Sequence, residues 1–117
     1  MPKEYGRNRR VADLIQREVA DLIQRELDQQ RTGMITISEV DVSPDLANAK
    51  VFFSCLDPKS DQRSLAQELN GLAGHFRYEL GHRLRLRIVP RLHFVFDPSV
   101  ERGSRLSSLI DSLNKGK

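Results

Sequence analysis

Between Asn70 and Pro98 a helical hydrophobic pattern is interrupted by glycine, resumes, and then gives way to strand alternation. Gly71 and Gly74 would each cost roughly 1 kcal/mol relative to alanine inside a helix, so a kink or short break is the cheaper solution. The helical series resumes at Phe76, Leu80 and Leu84. A strand follows, with its apolar residues on Ile88, Leu92, Phe94 and Phe96. Helix, break, helix and strand in such close succession form the centre of a small α+β module. The stretch Arg83–Arg87 has two readings. As a strand it aligns Arg83, Arg85 and Arg87 with Arg91. As a helix end it aligns only Arg83 with Arg87. We favour helix to about Leu84 and strand from about Ile88. Pro90 lacks a donor and belongs near the strand start or on an edge.

Upstream, Val11 to Leu27 reads as a helix, with Leu14, Ile15, Val19, Leu22, Ile23 and Leu27 at spacings of three and four. Its octapeptide Val-Ala-Asp-Leu-Ile-Gln-Arg-Glu occurs at 11–18 and again at 19–26. Eight residues advance a helix by a little over two turns, so both copies feed one broad apolar stripe. Thr32-Gly33 ends this region. Met34 to Val42 is strand-like, and its alternation shifts near Ser38-Glu39, the signature of a bulge. Ser43-Pro44-Asp45 is a turn signal. In Leu46–Leu56, Ala47, Ala49, Val51, Phe53 and Cys55 point one way, which predicts an antiparallel hairpin with the preceding strand. Asp57 or Ser60 can cap the next helix, whose inward residues are Leu65, Ala66 and Leu69. Ser104 can cap a short C-terminal helix with Leu106, Leu109, Ile110 and Leu113 on one face.

The 117 residues support a single domain over 1–117, with a basic stretch at 1–9 and a disordered tail at 114–117. Residues 1–10 read either as a frayed terminus or as an arm that meets phosphates. Tryptophan is lacking, so Phe52, Phe53, Phe76, Phe94 and Phe96 must supply most of the aromatic volume. One cysteine, Cys55, rules out an intramolecular disulfide and a cysteine-based zinc site, and fits a reducing cytoplasm. No window approaches the ~20 apolar residues of a membrane span, and the charged N-terminus argues against a signal peptide.

The chain's charge is segregated. From Arg77 to Arg105 seven arginines face only Glu79, Asp97 and Glu101, a local net of +4. From Val11 to Phe76 six basic residues face eleven acidic ones, a net of −5. Segregation of this kind is the electrostatic footprint of nucleic-acid binding. The basic segment uses arginine and no lysine, which favours bidentate phosphate contacts and stacking on bases. The alternative is a solvated face that protects a strand edge from pairing.

Four stretches, in order, are similar to the ribosome-binding factor A family: Arg-Val-Ala at 10–12, Ser-Pro-Asp-Leu-Ala-Asn-Ala-Lys-Val at 43–51, Leu-Arg-Ile-Val-Pro-Arg-Leu-His-Phe at 86–94 and Gly-Ser-Arg-Leu-Ser-Ser-Leu-Ile at 103–110. The resemblance implies a type II KH-like fold. Its order is helix, strand, strand, helix, kink, helix, strand, with a three-stranded mixed sheet covered by helices on one face and a short C-terminal helix. It implies a monomeric, cytoplasmic assembly factor that binds the free small ribosomal subunit and its rRNA, supports late maturation and rRNA processing, and catalyses nothing. KH domains carry a GxxG loop between the two helices, whereas this family has an Ala-x-Gly kink there. Here Gly71-Leu72-Ala73-Gly74 spells GxxG, and Leu72 stands at the family's alanine position. We read Leu72, Ala73 and Gly74 mainly as the kink.

The candidate RNA-binding residues are Arg7, Arg9, Arg10, Arg77, Arg83, Arg85, Arg87 and Arg91. His75, His82 and His93 lack the close spacing of a helical zinc pair, so no metal site is expected, and they read as surface residues near RNA. No Ser-His-Asp arrangement, phosphate loop or carboxylate pair in an apolar pocket is present, so neither catalysis, a cofactor nor a small-molecule substrate is expected. Two other readings compete with the assembly factor: a general KH-like single-strand binder, and a protein-interaction module with a basic face.

Overall fold

A computed structural model describes residues 2–98, with side chains from Asn8 onward. The element order is α1 (Pro2–Glu26), α2 (Gln29–Thr32), β1 (Met34–Val42), β2 (Asn48–Leu56), α3 (Gln62–Gly71), α4 (Ala73–Arg83) and β3 (Arg91–Phe96). The expected C-terminal helix after Ser104 and the tail at 114–117 lie outside the described residues.

The sheet runs in the order β1-β2-β3. β1 and β2 are antiparallel, from Met34 opposite Leu56 to Val42 opposite Ala49. β3 lies parallel to β2, from Asn48 opposite Arg91 to Phe53 opposite Phe96. The sheet is therefore mixed, as expected, and the bulge falls where the alternation shifts. Ile37 faces Phe53 and Glu39 faces Phe52, leaving Ser38 as the extra residue. The bulge lets Ile37 and Val40, three residues apart, both turn into the core. Gln16 of α1 donates to the Ile37 carbonyl at 3.2 Å. Ser38 donates to the Asp97 carboxylate at 2.8 Å.

The core lies between one face of the sheet and the helices. Ile15, Val19, Leu22 and Ile23 of α1 are buried with Leu65 and Leu69 of α3 and Phe76 and Leu80 of α4. Against them stand Ala49, Val51, Phe53, Leu92 and Phe94. Phe76 meets Phe94 edge to face at 5.8 Å, which ties α4 to β3. Burying each such ring contributes about 1.5–3 kcal/mol.

Several boundaries differ from the sequence expectation. α1 begins at Pro2 instead of Val11, so the basic stretch is part of the helix. The added turns make a contact of their own, because Asn8 donates to the Val42 carbonyl at 3.4 Å. Leu14 falls off the buried face and is exposed. α3 is capped by Asp61, in place of Ser60 or Asp57, through a 2.7 Å bond from the Ser64 amide. That bond foremost holds the Asp61 carboxyl below the usual carboxylate range. β3 starts at Arg91, after Pro90, and Ile88 lies outside it with 47% of its surface exposed.

β3 is an edge strand, and Asn70 at the end of α3 serves as its missing neighbour. Its side chain donates to the Phe94 carbonyl at 3.0 Å and accepts from the Phe94 amide at 2.8 Å. Asn70→Ala should cost about 1–3 kcal/mol, because both Phe94 backbone groups lose their partner in a half-buried site. Chemical denaturation of the two proteins measures the difference.

Candidate nucleic-acid interface

α3 and α4 are one helical run broken at Leu72, which caps the C-terminus of the first and the N-terminus of the second. Leu72 has φ −98° and ψ 0°, and its amide donates to the Leu69 carbonyl at 3.0 Å. Neither Gly71 nor Gly74 has positive φ, and a Cβ on either would meet nothing within 4 Å. Packing therefore does not require glycine at either position. Gly74→Ala should raise stability by about 0.5–1 kcal/mol, because Ala73–Arg83 is helical and open there. A thermal melt checks this.

The segment after α4 has two sides. Leu84, Leu86 and Val89 pack against the core, and Pro90 is buried. Arg85 and Arg87 alternate with them and are exposed, as is Ile88. Arg77 on α4 donates from Nε to the Val89 carbonyl at 3.0 Å and so braces the segment from outside. Arg91 and His93 alternate with buried Leu92 and Phe94, so they stand on the sheet face away from the helices, with Lys50 of β2 opposite His93. Arg85, Arg87 and Arg91 form no ion pair within the described residues. This basic rim runs from the outer side of α4 around the start of β3.

Arg83 does not join the rim. Its guanidinium reaches α1 and donates to Glu18 Oε1 at 3.1 Å and to Asp21 Oδ2 at 2.7 Å. Its side chain keeps 29% of its surface. The bond from Arg83 foremost holds the Asp21 carboxyl below its usual range, with Arg25 adding to the effect. A depressed folded-state pKa gives stability that is complete above the unfolded carboxylate value and is lost as pH falls through the lower folded value. Asp21→Asn should therefore flatten the acid limb of the stability–pH curve slightly and leave the rest of its shape unchanged, which denaturation across pH measures.

The N-terminal arginines lie elsewhere. Arg9 and Arg10 are exposed on α1, and Arg9 shares a groove with Ser38, Glu39 and Asp97 at the β1 bulge. β1 and β3 are opposite edges of the sheet, so Arg9 lies by one edge and Arg91 on the other. Arg7 lies in α1.

Sequence reasoning passed over Tyr78. It is 64% exposed, and its ring lies 4.4 Å from that of His82, one turn on. Its position opposite Phe76 and Leu80 on a helical wheel was the available signal. An exposed aromatic pair beside arginines suits stacking on unpaired bases. A separate concave surface carries acidic residues: a cavity of about 460 Å³ is lined by Asp57, Asp61, Cys55 and Phe96, among others. Burial, then the Asp57 charge, pushes the Cys55 thiol up, and its Sγ donates to the Thr32 carbonyl. This thiol is not activated as a nucleophile. No helix among the described residues is long and apolar enough to cross a membrane.

Fold and rim together define a small helix-backed α+β domain with the element order of a type II KH module. The ribosome-binding factor A family profile matches residues 7–110. Ribosome-binding factor A of Nitrosospira multiformis is 54% identical over 111 residues, covering 95% of this chain and 88% of that protein. The crystal structure of ribosome-binding factor A from Thermus thermophilus superposes with a TM-score of 0.66 at 23% identity, over 75% of this chain and 93% of that one. Thermus thermophilus coordinates fitted into the electron-microscopy map of a 30S complex give 0.60 at 24% identity, over 73% and 89%. The chain belongs to the ribosome-binding factor A family.

Proposed function

We propose that this protein is an assembly factor that binds the free small ribosomal subunit and supports late maturation and processing of its rRNA. Its 54% identity to a named ribosome-binding factor A across almost the whole chain carries the reading. The Thermus thermophilus relative of like fold is described in a complex with the 30S subunit, which supports the choice of subunit. The protein acts in the cytoplasm as a monomeric single domain and performs no catalysis of its own.

The contact surface in this reading is the rim of Arg77, Arg85, Arg87 and Arg91, with Tyr78 and His82 available for stacking. Arg83 positions α4 against α1. Arg7, Arg9 and Arg10 supply a second phosphate contact from the β1 side, and the break at Leu72, Ala73 and Gly74 orients α4. A phosphate-dominated contact makes log affinity fall with log salt by about 0.7 to 0.9 per contact. Titration of small-subunit rRNA at several salt concentrations tests this. A slope near zero would remove the RNA reading and bring the protein-interaction reading forward.

A further inference from the structure

The seam between α1 and α4 is closed differently at its two ends. At one end Arg83 of α4 bridges Glu18 and Asp21 of α1. At the other end Glu26 of α1 meets His75 of α4, with His75 Nε2 and Glu26 Oε1 2.6 Å apart. Glu79 lies one turn beyond His75 on the same face of α4. The imidazole nitrogen and one oxygen from each carboxylate all lie within 4.8 Å of one another. We propose that Glu26, His75 and Glu79 form a binding site for a divalent first-row transition-metal ion of the zinc class, joining the C-terminal end of α1 to α4.

Three observations carry this. The first is charge. Among the described residues no lysine or arginine pairs with Glu26 or Glu79, because Arg25 is engaged by Asp21 and Arg83 by Glu18 and Asp21. Two carboxylates that converge on one imidazole with no lysine or arginine beside them repel each other, and a dication removes that cost. The second is geometry. The ligands come from two packed helices, so their approach is set by the fold. Metal–ligand distances of about 2.0–2.2 Å would draw these atoms closer together than the 4.8 Å within which they now lie. The third is donor chemistry. One imidazole and two carboxylates suit zinc and its neighbours, whereas magnesium and calcium favour all-oxygen sets. His75 and Glu26 keep 46% and 32% of their side-chain surface, so water can complete the coordination and the ion has an open path. Histidine spacing alone could not show this site, because Glu26 lies 49 residues from His75.

The proposal does not depend on the ribosomal reading. Its test is calorimetric titration of zinc chloride into chelator-treated, untagged full-length protein, with thermal melts in parallel and magnesium chloride as the comparison ion. One zinc per chain and a raised melting temperature are expected, with little response to magnesium. His75→Ala and Glu79→Gln should each weaken zinc binding at least about tenfold. His82→Ala and His93→Ala, at exposed histidines outside the set, should bind as the wild type does. Circular dichroism confirms that each variant is folded, and Glu26→Gln supplies an independent variant on the other helix. The absence of zinc binding, equal losses at all three histidines, or unchanged affinity in folded His75→Ala would each overturn the proposal.

Discussion

Gly33→Ala should lower the melting temperature by roughly 10–25 °C, a loss of about 3–5 kcal/mol in a domain of this size. Gly33 joins α2 to β1 with φ 91° and ψ 172°, a backbone region populated essentially by glycine. A Cβ there would stand 2.5 Å from the Asp57 carbonyl oxygen and 2.9 Å from that of Leu56. Both are backbone atoms at the end of β2, so no side-chain rotation relieves the contact. The surrounding bonds hold the junction in place. The Gly33 amide donates to the Gln29 carbonyl at 2.7 Å, and Cys55 Sγ donates to the Thr32 carbonyl at 3.4 Å. Asp57 itself has φ 52°, so the chain on the other side is already in the left-handed region. Scanning calorimetry on both proteins measures the effect. Equal melting temperatures would mean that the α2–β1 and β2–α3 junctions are not closely packed.

The contrast with Gly74 shows what local sequence can and cannot convey. Both glycines read as breakers. Gly33 alone combines a positive φ with neighbours that exclude a Cβ, and those neighbours come from the far end of β2. The same distinction explains β3. Ile88 fits the apolar alternation, yet a strand also needs a partner. β2 begins at Asn48, after a turn in which Leu46 adopts φ 62°, so pairing starts only where Arg91 donates to the Ala47 carbonyl at 2.9 Å. Periodicity was sufficient for the hairpin, the Ser38 bulge and the inward faces of α3 and α4, because those features are written in residues close together. It was insufficient for Asn70 on Phe94, for Arg83 on Glu18 and Asp21, and for Glu26 on His75, which are pairings across the fold. For the arginines the segregation of charge was legible. Their division between the β1 edge and the β3 edge was not.

The ion pairs of Arg83 change which substitution should abolish ribosome binding. Reversing Arg83 would place a carboxylate against Glu18 and Asp21 and disturb the α1–α4 seam, so lost binding would not separate contact from folding. Arg85, Arg87 and Arg91 are exposed and free of ion pairs within the described residues, while their neighbours Leu84, Leu86 and Leu92 hold the backbone. Changing all three to glutamate moves the formal net charge of the chain from +3 to −3. It should leave the circular dichroism spectrum and melting temperature close to those of the wild type, since exposed substitutions of this kind usually shift stability by under about 0.5 kcal/mol each. Against RNA it removes three phosphate contacts and adds three repulsions, so the salt slope should fall by about two to three. Sedimentation through a sucrose gradient with purified small subunits decides whether this rim is the ribosome-binding surface. The wild type should travel with the free subunit, and the folded Arg85→Glu, Arg87→Glu, Arg91→Glu variant should remain at the top. Co-sedimentation of that variant at the wild-type level would contradict the rim as the ribosome-binding surface.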